Sequence, residues 1–150
     1  ALGIREFPTP AGGCRLTDPC LAGRVRRYFE RTPRPERTPA DVRLLLVGRP
    51  FCLPGGSLFT LGRDEAENAA VAALAQPGDE LAAAVDVPGP VGLLRPRQST
   101  DRAAAASVLL RYAKKAGPGT RVGFGPDPDR PERELEPAPA TDETLASWRA

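Results

Sequence analysis

The sequence contains no histidine and no methionine. Without histidine, Ser-His-Asp and Cys-His catalysis are excluded within this chain, as is every zinc site with an imidazole ligand. Without methionine there is no initiator residue, so Ala1 is expected to follow a longer upstream sequence, with ALGIREFP as the end of it. Aromatics are scarce, at five Phe, two Tyr and one Trp. That leaves little base stacking, so single-strand nucleic-acid binding of the stacking kind is not expected. No apolar run approaches the roughly 20 residues of a membrane span, and nothing resembles a signal peptide. The cysteines number three, an odd count. A disulfide framework is therefore not expected, and a reducing, cytoplasmic setting is.

What is present is a core composition of Ala, Leu and Val, cut by 18 prolines and 15 glycines. A net charge of +2 names no partner by itself. Its distribution says more. Residues 1–49 and 96–124 are net basic, whereas 50–95 and 125–150 are net acidic. Two basic segments folded onto one face would make an electrostatic footprint for a polyanion; the plainer alternative is a set of solvated helix faces.

Helix and strand signals alternate along the chain. In FPTPAGGCRLTDPC, Thr17 or Asp18 can cap a helix with Pro19 just inside it, running to about Arg31 with Leu21, Val25 and Tyr28 or Phe29 inward. TPRPERTP reads as a linker. Thr38-Pro39-Ala40-Asp41 starts a second short helix to about Leu46. Gly48–Leu53 and Ser57–Leu61, joined by Pro54-Gly55-Gly56, predict a β-hairpin. Arg63–Ala75 predicts a helix with Ala66, Ala70, Val71 and Leu74 inward. Leu81–Asp86 and Val91–Arg95 predict a second hairpin. Ser99–Ala116 predicts a long helix packed through Ala103, Ala106, Leu109, Leu110 and Ala113, and Thr120–Phe124 a last strand. The proline-rich, acidic remainder is expected to be extended or disordered, with a short helix near Thr144–Arg149 and Trp148 packing back. The order predicts an α+β fold: a small, mostly antiparallel sheet built from hairpins, with two main packing helices, preceded by a short helical N-terminal segment.

Several residues are candidates for chemistry. Cys14, beside Gly12-Gly13, is a weak candidate for a reactive thiol or a cluster ligand; the alternative is a structural cysteine. Cys20 and Cys52 are expected to be packing residues. Gly12-Gly13 lacks the Lys-Ser/Thr that a phosphate-binding P-loop needs. Asp86, beside Pro88-Gly89, reads as a turn stabiliser. The principal candidates are basic. Arg95, Arg97, Arg111, Lys114, Lys115 and Arg121 come from neighbouring elements, and Arg24, Arg27 and Arg63 extend the set. Arginine and lysine on phosphates supply affinity without sequence readout, and structured RNA is often recognised by shape.

The middle of the chain carries a family pattern. Gly62-Arg63 is followed by Glu67-Asn68, Pro77-Gly78-Asp79, Asp86-Val87-Pro88-Gly89, Leu94-Arg95, and an alanine-rich helix bearing Tyr112, Lys114 and Ala116. Over residues 48–124 this order resembles the NFACT-type RNA-binding domain. The family's aromatic and histidine before the Asp-x-Pro-Gly turn, and its Ser-His after it, are replaced here by Ala82, Ala84, Pro90 and Val91. The front, FPTPAGGCRLTDP and DVRLLLVGRPFCL, resembles the C-terminal extension of tRNA 2-thiouridine synthase-like PP-loop proteins. The resemblance implies three parts: residues 1–47 as the end of a larger enzyme, 48–124 as the NFACT-like domain and 125–150 as a tail. It implies a tRNA-binding module that is non-catalytic alone, with ATP used by a PP-loop domain upstream, since Ser-Gly-Gly-x-Asp-Ser is absent here. The alternative is a module that docks on a partner enzyme or the ribosome.

Overall fold

In the computed structural model, which describes residues 17–150, the chain begins with helix α1 (Pro19–Arg31). The Asp18 carboxylate accepts the Cys20 N–H at 2.8 Å and starts this helix, with Pro19 at its first position. The expectations for Cys14 and for Gly12-Gly13 lie outside the described residues. The linker makes one turn of 3₁₀ helix over Arg34–Glu36. Helix α2 (Pro39–Leu45) follows, opened by a reciprocal capping box between Thr38 and Asp41.

Strands β1 (Arg49–Cys52) and β2 (Leu58–Leu61) form the first hairpin. Helix α3 (Glu65–Ala72) is capped by Asp64. Strands β3 (Glu80–Ala84) and β4 (Gly92–Arg95) form the second hairpin. Helix α4 (Asp101–Tyr112), strands β5 (Val122–Gly125) and β6 (Arg133–Leu135), and helix α5 (Asp142–Trp148) complete the chain. The six strands make one sheet, ordered β1-β2-β4-β3-β5-β6, antiparallel at every pair. The fold is α+β, as the element order predicts.

Period-two alternation sends side chains to both faces of the sheet. Phe51, Phe59, Leu61, Ala82, Leu94, Val122 and Phe124 pack with Ala105, Ala106, Val108 and Leu109 of α4 and Leu145 of α5. Cys52, Leu58, Leu81 and Leu93 pack on the other face with Tyr28 of α1, Leu44 and Leu45 of α2 and Val71 of α3. Each fully buried Leu or Phe contributes about 1.5–3 kcal/mol relative to exposure, so both faces of the sheet are committed to helices.

Local expectations change where packing overrides pattern. In α3 Asn68, Val71 and Ala72 face inward, joined by Leu74 just past its end, and Ala66 and Ala70 are exposed; an alanine-rich helix carries little periodic signal to choose its face. On α4, Ala103 is exposed and Ala105 is buried. The first turn of α4 is not capped by Thr100. Instead Asp101, buried, accepts the N–H groups of Gly55 (2.8 Å) and Ser57 (3.0 Å) in the β1–β2 turn. Cys20 is exposed rather than packed, whereas Cys52 is buried and burial pushes its thiol pKa up. The short helix expected near Thr144–Arg149 is present as α5, with Trp148 packed against the core, but the rest of residues 125–150 is not simply extended or disordered. The segment adds β6 to the sheet and places α5 over β1, with Ala140, Leu145 and Ala150 buried. These three residues, Trp148 packed beside them and the pairing of β6 with β5 dock the segment, although its composition is that of a linker. Among the described residues, no helix is long and apolar enough to cross a membrane.

Candidate nucleic-acid interface

The basic candidates divide by what they touch. Arg95 donates to Asp41 at 3.0 Å and, bidentate, to Asp79 at 3.0 and 2.7 Å. Burial would lower its pKa, but the two carboxylates outweigh burial and raise it. Arg97 pairs with Glu36, bonds the Glu36 carbonyl at 2.8 Å and lies 3.7 Å from Asp41. Arg24 donates to the Leu45 carbonyl at 3.1 Å and Arg27 to the Ala150 carbonyl at 2.9 Å. Arg95 and Arg97 tie α2 and the 3₁₀ turn to the end of β4, Arg24 ties α1 to α2, and Arg27 ties α1 to the last residue of the chain. Arg95 and Arg97, expected to face a polyanion, are placed by the structure against carboxylates within the fold. Arg24 and Arg27 serve buried backbone acceptors.

The others are paired differently. Arg63 bonds Glu67 one helical turn on, Arg111 bonds Asp142 at 2.8 Å, and Arg121 pairs with Glu134 and, at 3.5 Å, with Asp86. Their side chains are 46–50 % exposed, against 15 % for Arg95. Pairs so exposed contribute about 0–1 kcal/mol each, and a phosphate can displace them. Asp86 sits at φ 62°, in the left-handed region, as its turn position requires. Lys114 and Lys115, just past α4, are exposed and have no ion-pair partner among the described residues.

Arg63, Lys114 and Lys115 meet in one cleft of about 590 Å³, together with Arg49 and Tyr112. Its walls are the residues before α3, the Pro88–Pro90 loop and the end of α4. Two hydrogen bonds hold the first two walls together: Gly62 N–H to the Val91 carbonyl (2.9 Å), and Val91 N–H to Asn68 Oδ1 (3.0 Å). Glycine is required at 62, since a Cβ there would lie 2.2 Å from Asn68 Oδ1. Asp64 and Glu65 lie on the rim, where Asp64 is occupied in capping α3.

Tyr112 organises the cleft. The Arg49 guanidinium lies over its ring, 4.8 Å from the centroid. The Phe51 ring packs against it at 6.2 Å. The Tyr112 hydroxyl accepts from Arg149 Nη2 at 3.1 Å. Arg149 and Tyr112 also line an adjoining cleft of about 350 Å³ with Arg111. Arg49, Arg63, Lys114 and Lys115 thus line one cleft with Tyr112, with Asp64 and Glu65 beside them, and Arg111 and Arg149 line the adjoining one with Asp142. Sequence reasoning did not select Arg49 and Arg149, and saw Tyr112 only as part of a motif. The available signal was period two in β1: Arg49 and Phe51 share the face that Tyr112 packs on. Arg121, on the β5 side of the sheet, does not join this cleft. Among the described residues, no group of three or more Cys, Asp or Glu side chains is arranged to hold a metal.

No curated protein matches the chain. A solved structure that is similar is that of the C-terminal region of the fibronectin/fibrinogen-binding protein from Streptococcus suis, with a TM-score of 0.59 and 16% identity. The alignment covers 69% of this chain and 50% of that one, so the chain spans half the length of that structure. At this identity the likeness is one of fold. A family model described as the NFACT protein RNA binding domain matches residues 48–149, from the residue before β1 through the end of α5. By that match the chain belongs to the family of NFACT protein RNA binding domains.

Proposed function

We propose that this chain binds structured RNA, with tRNA as its class of ligand, through the cleft around Tyr112. The observation that carries the reading is the pair of unpartnered ammonium groups, Lys114 and Lys115, set beside Arg49 and Arg63 in a concave site. Family membership supports RNA as the polyanion. The Tyr112 ring already carries Arg49 and packs on Phe51. A base has little of that ring to stack on, which favours the backbone of a folded RNA over a splayed single strand. In this reading the chain is the C-terminal part of a tRNA thiouridylase-like enzyme of the cytoplasm. An upstream PP-loop domain would bind ATP and do the chemistry, and the present chain would hold the tRNA in place.

The test is a fluorescence-anisotropy titration with unmodified bulk tRNA at several salt concentrations, with the Lys114→Glu/Lys115→Glu variant alongside. Each phosphate contact contributes about 0.9 to the slope of log K against log salt on a duplex. The double variant is expected to bind at least tenfold more weakly and to lower the slope by about 2. Absence of binding at low salt would overturn the reading. It would favour a second one, docking on a partner enzyme or the ribosome. That reading has its own observation: Phe29 is exposed beside Ala22 and Val25 on α1, with Arg37 stacked at 4.5 Å from its ring.

A further inference from the structure

We infer that Tyr112 is a positioning residue that joins two clefts into one RNA-backbone track, and that α5 supplies part of that track through Arg149. The inference rests on the RNA-binding reading and deepens it. Tyr112 lines both the cleft of Arg49, Arg63, Lys114 and Lys115 and the adjoining cleft of Arg111 and Arg149. It uses a different chemistry toward each. Its ring face holds the Arg49 guanidinium, and its hydroxyl holds that of Arg149.

The backbone makes this pairing possible. Phe51 of β1 forms an antiparallel bridge with Arg149, and the Ala150 N–H donates to the Pro50 carbonyl at 3.0 Å. The end of α5 is thereby fixed against the edge strand, and Arg49 is on that same strand. Leu145 buries α5 in the core beside Phe51. Arg49 and Arg149, a hundred residues apart in sequence, are thus held around one phenol. Neither makes an ion pair among the described residues, although Arg49 is close enough to Glu67 for its charge to help lower that carboxyl's pKa, after Arg63. Arginine side chains lose rotamer freedom when fixed. A tyrosine that fixes two of them before the ligand arrives removes part of that cost from binding.

In this arrangement the Tyr112 hydroxyl and ring make separable contributions. Tyr112→Phe keeps the ring under Arg49 and frees Arg149. Tyr112→Leu keeps an apolar side chain on Phe51 and frees both arginines. The experiment is the anisotropy titration with unmodified bulk tRNA, run on wild type, Tyr112→Phe, Tyr112→Leu, Arg149→Gln and Tyr112→Phe/Arg149→Gln. Tyr112→Phe is expected to weaken binding about three- to tenfold and to lower the salt slope by just under 1, matching Arg149→Gln. The double variant is expected to be no weaker than either single. Tyr112→Leu is expected to lower the slope by nearly 2. Thermal melts accompany each titration, because a purely structural role would lower the melting temperature and leave the slope alone. A wild-type slope in Tyr112→Phe, or full additivity with Arg149→Gln, overturns the inference. Loss of wild-type binding instead overturns the RNA reading beneath it. If Tyr112→Leu does not fold, the Tyr112→Phe and Arg149→Gln arms decide alone.

Discussion

Arg95 on β4 donates to Asp41 on α2 at 3.0 Å, and both side chains are withdrawn from solvent. The bond crosses from the sheet to the N-terminal helical segment. Asp79, in the turn before β3, holds the other side of the same guanidinium. Tyr28 of α1 donates to the far oxygen of Asp41 at 2.6 Å. Three helix or turn segments are thereby joined through one carboxylate and one guanidinium.

Removing one partner of a buried pair leaves the other uncompensated, at a cost of about 3–5 kcal/mol. Arg95→Gln is therefore expected to lower stability by about that amount in urea denaturation. Its tRNA affinity, measured where the variant is still folded, is expected to equal that of wild type. A loss of affinity comparable to that of Lys114→Glu/Lys115→Glu would make Arg95 an RNA contact after all.

The same cluster gives the fold a pH signature. Burial alone would raise the Asp41 carboxyl, but hydrogen bonds from Tyr28, Arg95 and Thr38 outweigh it and hold its pKa below the ordinary value of 3.8. A depressed carboxyl stabilises the fold above that ordinary value. The contribution is lost as pH falls below about 4. Tyr28 is shifted the other way: burial first, then the Asp41 hydrogen bond and charge, raise it above 10.0. Its contribution is complete below pH 10 and is lost as pH rises beyond that. Urea midpoints across pH are expected to fall at both ends, with the alkaline fall absent in Tyr28→Phe. An unchanged alkaline limb in that variant would place its origin elsewhere.

Gly92 on β4 lies under the Phe59 ring, and a Cβ there would come within 2.3 Å of it. Phe59 is fully buried and cannot swing away. Gly92→Ala is expected to destabilise by about 1–3 kcal/mol through overpacking. Combining it with Phe59→Leu should recover part of the loss, which a double-mutant cycle of urea midpoints would measure.

The turn between β1 and β2 depends on a distant helix. Asp101→Ala leaves the Gly55 and Ser57 N–H groups without their acceptor and is expected to cost about 1–3 kcal/mol. Hydrogen exchange at those two amides should quicken more than at the amides of β3. Equal protection in the variant would show that the turn holds itself.

Element order was legible in the sequence because its punctuation is strong. Asp18-Pro19, Thr38-Pro39, Gly55-Gly56 and Pro77-Gly78 each impose a start or a stop for backbone reasons. The face of α3 was not legible, since Ala66 and Ala70 are as apolar as Ala72. In the tail the final helix and the packing of Trp148 were legible, but β6 and the docking were not, because Leu145 and Ala140 bury too little to register against the surrounding prolines and acids. At the site, a basic residue's type says that it seeks an anion but not which one. Arg95 finds Asp41 and Asp79, 54 and 16 positions away, while Lys114 and Lys115 find no carboxylate among the described residues. Only the tertiary arrangement separates the two cases.

With helices over both faces of the sheet, the cleft around Tyr112 lies at the rim, where strand edges, loops and helix ends converge. Side chains there rest on the core without being part of it. Arg49, Lys114, Lys115 and Arg149 are each replaceable with little repacking behind them. The fold can therefore be retuned toward a different polyanion, or lose its affinity for one, while its architecture stays the same. In the proposed reading the buried core sets the fold and the charge at the rim sets the ligand.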